Sequence, residues 1–338
     1  MIRVSKPSIT DLEKEYLQQA VDNNDIGVGD FIERFEHTWA KYNHKQYGVA
    51  CNSGTNAIFL ALKALGIGEG DEVLVPEFTM IATAWAVTYT GATPVFVDCL
   101  EDLTMDYLKA RHQITKKTKA IIPVPIYGRA VGQGVYDLGR EYNLFVIEDM
   151  AEGHGIQPRG DIACYSFYGN KILTTGEGGM CLTNDEKIAN EIRSLANMYF
   201  DKNRTLLHPK IGYNFRLTNL QASIGLAQVK RTDEILRKRQ QIAKWYDKYL
   251  PDEYKMPDRE VVWVYDIDCG DKQQEIKDRL EENGVESRYF FKPMSMQPMF
   301  KGQYQDLEAY KWSKRGLYLP CYPDLLEEEI QYICQLLK

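Results

Sequence analysis

A lysine, an acid and a small-residue turn are the parts of this chain whose types and spacing could do chemistry. Lys171 follows Tyr165-Ser166-Phe167-Tyr168-Gly169-Asn170 and precedes Ile172-Leu173-Thr174-Thr175-Gly176-Glu177-Gly178-Gly179. An ammonium is costly to bury, so a lone lysine ordinarily sits on a solvated loop. The sharper use is an amine that forms a Schiff base with a carbonyl group. Asp149 closes the apolar run 144–147 just after Glu148. A carboxylate at the end of a buried strand is delivered into the crevice where α/β sheets bind ligands, although it can equally cap a helix. Farther upstream, Ser53-Gly54-Thr55 stands between an apolar strand and a helical stretch. The free N–H groups of a first helical turn make an anion seat there, or the same residues simply cap the helix.

These residues need a scaffold. Short apolar runs at 47–50, 72–75, 94–97, 120–124 and 144–147 predict strands. Helical patterns at 56–65, 79–90, 106–112 and 131–142 lie between them. Such alternation predicts βαβ units and a mostly parallel sheet covered by helices on both faces. Two amphipathic helices precede it, 8–23 and one from Asp30 that carries Phe31, Phe35 and Trp39 as core residues. A strand at 180–183, a helix at 185–197, an irregular stretch 198–216 and one long helix from Thr218 to Tyr249 follow. The segment from Val261 reads as strand, helix (272–282), strand (286–290), loop, helix, short strand and a final helix from Asp324, a compact α+β unit. The expected division is a large domain, 1–230, and a small C-terminal domain, 231–338.

Composition removes several classes of function. The net charge of −7 and the lack of a basic run argue against a nucleic-acid partner. No apolar run is long enough for a membrane span, and the N-terminus lacks the apolar core of a signal peptide. The seven cysteines show no zinc-site or disulfide spacing, so no metal is expected and a reducing, cytoplasmic setting is. Of the five histidines only His154 lies near a proposed site element, and a structural role is expected for it.

Taken together, an anion seat, a strand-end acid and a Schiff-base lysine along one α/β domain form a recognisable set. A carboxylate opposite a pyridine nitrogen keeps that ring protonated, which is the electron sink that pyridoxal 5′-phosphate chemistry uses. At this point the chain resembles the DegT/StrS family of pyridoxal-phosphate-dependent nucleotide-sugar aminotransferases. The matching segments are 52–57, 70–73, 147–152, 166–171, 174–179 and 212–217, in the family's order.

The resemblance implies the aspartate aminotransferase-type fold (fold type I, an α/β PLP-transferase) and a homodimer with shared active sites. It implies pyridoxal 5′-phosphate as cofactor, with L-glutamate and a nucleotide-linked keto-sugar as substrates. It makes Lys171 the cofactor-bearing lysine and Asp149 the partner of the ring nitrogen. Ser53, Gly54, Thr55 and Ser166 are implied for the phosphate, with Asn214 reaching it from the partner subunit. Ala151 and Met80 are implied against the ring, although relatives usually carry an aromatic residue where Met80 stands. Glu152 and Arg216 are implied near the substrate. The segment 287–298, with Arg288, Phe291 and Lys292, resembles the perosamine-type branch acting on GDP-4-keto-6-deoxymannose, or else is an ordinary surface loop. Viosamine-type 4-aminotransfer to a dTDP- or UDP-4-keto-6-deoxyglucose, 3-keto-sugar aminotransfer, and a non-catalytic cofactor-binding regulator are the alternatives. Dehydrating relatives replace the lysine with histidine, which argues against that chemistry here. Relatives commonly show an aspartate after Tyr127-Gly128, where this chain has Arg129-Ala130-Val131-Gly132-Gln133-Gly134; that loop is assigned no role.

Overall fold

The computed structural model describes residues 1–201, 205–300 and 307–338. Parts of the predicted irregular stretch (202–204) and of the predicted loop after Phe290 (301–306) lie outside them. The chain begins with α1 (Asp11–Asp22) and α2 (Asp30–Tyr42). Thr10 caps α1, and its N–H donates to Glu13 Oε2 at 2.7 Å.

The central layer is a seven-stranded sheet in the order β1-β7-β6-β5-β4-β2-β3. Its strands are β1 (Tyr47–Cys51), β2 (Glu72–Pro76), β3 (Thr93–Val97), β4 (Thr118–Ile121), β5 (Phe145–Asp149), β6 (Ile162–Ser166) and β7 (Gly179–Thr183). Only β7 runs antiparallel, paired with β1 on one side and β6 on the other. The connecting helices are α3 (Gly54–Ala64), α4 (Ile81–Tyr89), α5 (Tyr107–Gln113), α6 (Gln133–Tyr142) and α7 (Glu186–Ala196).

The sheet is buried on both faces, and alternate residues of one strand enter different cores. Val49 and Cys51 of β1, with Ile162 and Cys164 of β6, pack with the apolar face of α3. Ala50, Ala163 and Tyr165 turn the other way, toward Phe31, Phe35 and Trp39 of α2. Those three aromatic side chains are core, as their helical spacing predicts.

The long helix predicted from Thr218 to Tyr249 is two helices, α8 (Asn219–Lys230) and α9 (Thr232–Tyr249). Arg231 breaks it at φ −105°, ψ 8°. Its guanidinium donates to Glu13 Oε1 (2.7 Å) and to Ser8 Oγ (3.0 Å), both at the start of α1. A tertiary tie to a segment far away in sequence makes the break, and no proline or glycine marks it.

Beyond α9 lies a second, antiparallel sheet, β8-β10-β9, made of β8 (Tyr265–Asp268), β9 (Arg288–Tyr289) and β10 (Gly316–Leu319). The strand predicted from Val261 therefore starts later, at Tyr265, and the stretch before it runs along the large sheet's site. Helices α10 (Gln273–Glu282), α11 (Glu308–Arg315) and α12 (Glu327–Gln335) complete this unit. Ile267, Ile276, Leu317 and Ile330 share its own apolar cluster. Among the described residues, no helix is long and apolar enough to cross a membrane. All seven cysteines are free and buried.

Candidate active site

A cavity of about 510 Å³ opens beyond the carboxyl ends of β1, β5 and β6. That is where open α/β sheets hold ligands, and the size is usual for a small-molecule site. Ser53, Gly54, Thr55, Met80, Asp149, Ala151, Glu152, Ser166, Lys171, Arg288 and Phe291, all expected from sequence, line it. Asn214 and Arg216 do not, and both are exposed; Arg216 donates to Asn197 Oδ1 at 3.0 Å. Lys292 is also exposed and lies over the Tyr289 ring, outside the cavity.

The anion seat is built by close approach. Ser53 caps α3, its Oγ accepting from Asn56 N–H at 3.2 Å. The N–H groups of Gly54 and Thr55 belong to the first turn, which has no intrahelical acceptors for them. A Cβ on Gly54 would fall 2.6 Å from Ser166 Cβ, so only glycine lets the start of α3 sit against the end of β6. Three hydroxyls and a helix N-terminus thereby converge on one corner of the cavity, which suits a phosphate dianion.

Asp149 ends β5 and is buried. Its Oδ2 accepts from Thr83 Oγ1 at 2.7 Å, and its Oδ1 from Ala151 N–H at 3.2 Å. Burial pushes its carboxyl above the usual aspartate range, opposed by Thr83, Ala151 and the Lys171 charge. A cationic N–H of a ring bound above it would supply the missing compensation.

Lys171 points into the same cavity. Burial pulls its amine below the ordinary lysine range, while Glu152 and Asp149 pull it back up. The Nζ atom lies 4.1 Å from the centre of the Trp263 indole. Trp263 is fully packed and comes from the stretch leading into β8. Glu152 is buried as well. Tyr127 N–H donates to its Oε2 at 2.7 Å, and burial raises its carboxyl to about 7 against the pull of Lys171. Tyr127 holds a left-handed backbone at φ 51°, so the contact that presents this N–H is conformationally costly.

His154 is structural, as expected. It is fully buried beside Trp39. Its Nε2 bonds Ser166 O at 3.0 Å, and its Nδ1 accepts from Leu173 N–H at 3.3 Å. The ring thus spans the two ends of the segment that carries Lys171. Burial drives its pKa down to about 3, which keeps it neutral.

Among the residues sequence reasoning missed, Trp263 and Tyr318 line the cavity, and Thr83 and Tyr127 bond the two acids in it. Thr83 sits on a helix face and Trp263 in a stretch read as strand, so neither carried a local signal. The unassigned loop after Gly128 also has a place. Arg129 is buried, donates to Pro257 O (2.8 Å) and pairs with Asp266 at 2.7 Å, and Arg259 meets the same aspartate at 3.1 Å. Where relatives were expected to carry an acid, this chain has a base that ties the Tyr127 turn to β8.

The donor set fits pyridoxal 5′-phosphate. There is a seat for the phosphate, a carboxylate for the ring nitrogen, a lysine for the aldehyde, and Met80 and Ala151 in the walls. Comparison with known proteins agrees. Residues 7–338 match the DegT/DnrJ/EryC1/StrS aminotransferase family. The GDP-perosamine synthase of Caulobacter vibrioides is 41% identical, across 98% of this chain and 96% of that protein. The GDP-perosamine synthase of Escherichia coli O157:H7 is 38% identical, across 99% and 97%. Spr1654 of Streptococcus pneumoniae, solved in its PLP form, superposes with a TM-score of 0.91 at 26% identity, covering 99% of this chain and 97% of that one. A purely regulatory, non-catalytic role is set aside by these matches. The chain belongs to the DegT/DnrJ/EryC1/StrS family, as a pyridoxal-phosphate-dependent nucleotide-sugar aminotransferase.

Proposed function

We propose that the protein transfers the amino group of L-glutamate to C4 of GDP-4-keto-6-deoxymannose, giving GDP-perosamine. The observation that carries this reading is the near full-length likeness, at 34–41% identity, to three proteins named GDP-perosamine synthase. The bound cofactor supplies the carbonyl that accepts the amine and the ring that stores the electron pair. The chain's residues do the rest. Gly54, Thr55, Ser53 and Ser166 hold the phosphate, and Asp149 keeps the ring nitrogen protonated. The amine of Lys171 would take the proton from the carbon that carries the amino group and deliver it to the cofactor's former carbonyl carbon, so that the nitrogen stays with the cofactor when the oxo acid leaves. Glu152, with Arg288 and Phe291, faces the sugar.

Asn214, with Arg216 nearby, completes the phosphate seat from a second copy, so the working unit in this reading is a homodimer in the cytoplasm. Both residues being exposed in one chain favours this arrangement. The boundary between the large and small domains belongs at Arg231, where the helix breaks.

A second reading rests on a 37% identical relative, named UDP-N-acetyl-3-dehydro-alpha-D-glucosamine 3-aminotransferase, that aligns with 86% of this chain. A panel of GDP-, dTDP- and UDP-linked 4-keto and 3-keto sugars, supplied with glutamate and read by mass spectrometry, decides between them. Amination of GDP-4-keto-6-deoxymannose with the highest kcat/KM is expected. Preference for a 3-keto sugar would replace the first reading with the second.

A further inference from the structure

We propose that the Trp263 indole is the resting face for the Lys171 amine whenever that amine is free, and so makes Trp263 a positioning residue for proton transfer. The proposal rests on the reading above that Lys171 is the acid–base. In the glutamate half-reaction the substrate amine would displace the lysine from the cofactor carbonyl, and the freed lysine amine would carry the proton from the substrate carbon to the former carbonyl carbon. In the sugar half-reaction it would carry a proton the opposite way before re-forming its own bond to the cofactor. A long flexible side chain doing this needs a place to wait. It must be close to the reacting carbon, dry, and tolerant of both amine and ammonium.

The geometry supplies one. Nζ stands 4.1 Å over the indole, within the range in which a ring face attracts a cation. The indole cannot drift away from the lysine, because its N–H donates to Asn170 O, the carbonyl just before Lys171, at 2.9 Å. Tyr127 and Tyr318 flank it at 6.1 and 6.3 Å between ring centres. The titratable groups facing the amine are Glu152 and Asp149 from the end of β5, His154 below, and the two tyrosines beside the indole. Only the two carboxyls can carry negative charge near neutrality, and Glu152 is itself poised to lose it. Burial favours the neutral amine, while the indole favours the ammonium without adding a counter-ion that would hold it too tightly. Because Trp263 lies in the stretch entering the second sheet, that stretch takes part in the site.

The test uses Trp263→Phe, which keeps a ring face but loses the N–H, and Trp263→Leu, which stays apolar but loses both the face and the N–H. In cofactor-free protein, the pH dependence of Lys171 reductive methylation, followed by peptide mass spectrometry, reports the amine's titration. Leucine is expected to shift that titration down by about half to one pH unit, with phenylalanine close to the parent. In cofactor-loaded protein, leucine is expected to slow single-turnover glutamate deamination about tenfold with glutamate affinity unchanged, and phenylalanine to restore most of it. Equal effects of the two substitutions would assign the effect to the Asn170 bond and overturn the proposal. No titration shift with leucine, in protein of parental circular dichroism and melting temperature, would also overturn it. Failure of the underlying reading is separable: borohydride would then fix no cofactor adduct on Lys171 in the parent protein.

Discussion

At the residue scale the site is a balance of burial against charge. Lys171 and Glu152 share one cavity, and burial pushes each toward its neutral form. Replacing Lys171 with alanine removes the nucleophile and the proton carrier together. Turnover should fall by at least about a thousandfold, and the borohydride-fixed cofactor adduct should vanish. An adduct that persists in this variant would move the Schiff base to another lysine. Glu152 gives a prediction with a sign. Its folded pKa, about 7, lies above the ordinary value of 4.5, so the folded state binds a proton more tightly than the unfolded one. The stability this group contributes is intact below about pH 4.5 and is lost as pH rises through about 7. Glu152→Gln keeps an acceptor for Tyr127 N–H without the charge. Cofactor-free Glu152→Gln should therefore be more stable than the parent at pH 8, by at most about 3 kcal/mol, with the difference closing toward pH 5. Urea titrations at the two pH values measure it, and a gap that widens on acidification would contradict the assignment.

At the scale of elements, the order of strands and helices is legible because periodicity and helix-start residues are local properties. Strand alternation leads to the parallel sheet, and the ends of β1 and β5 give Ser53–Thr55 and Asp149, whereas β6, which ends at Ser166, is not among the predicted strands. Contacts made at long sequence separation are not legible. The break at Arg231 depends on Glu13, and the place of Trp263 depends on a stretch that runs past Asn170. The family resemblance implies Lys292, Asn214 and Arg216 for the site, yet they lie outside the cavity of a single chain. One element-scale prediction concerns how α3 meets β6. Gly54→Ala puts a methyl 2.6 Å from Ser166 Cβ, so the helix start or the strand end must move. The phosphate seat then opens by a fraction of an ångström. Affinity for pyridoxal 5′-phosphate should drop about tenfold or more, equivalent to ~1.4 kcal/mol, and the melting temperature of the cofactor-free protein should fall as well. Absorbance titration of cofactor-free protein reads this directly, and unchanged affinity would mean that the phosphate sits elsewhere.

At the scale of the molecule, the cavity of the single chain is lined without Asn214 or Arg216. The anion seat is made by α3 and β6, but Asn214 and Arg216 stand on the exposed stretch between α7 and α8. Asn214 pairs there with Asn197 in an isolated antiparallel bridge, which fixes its backbone at the surface without a partner for the site. If a second copy brings these residues to the phosphate, each site needs Lys171 from one chain and Asn214 from the other. Two inactive variants should then rescue one another. Lys171→Ala lacks the amine, and Asn214→Asp sets a carboxylate against the phosphate, where like charges repel. Mixed in equal amounts and allowed to exchange subunits, half of the dimers carry one copy of each. One of their two sites has both intact residues and the other has neither, so about a quarter of parental activity should return. The two variants must first be shown, by light scattering and by mass spectrometry of differently tagged copies, to form mixed dimers. Mixed dimers without recovered activity would place Asn214 on its own chain's site or on none, and the cavity of a single chain would then have to hold the cofactor phosphate with α3 and Ser166 alone.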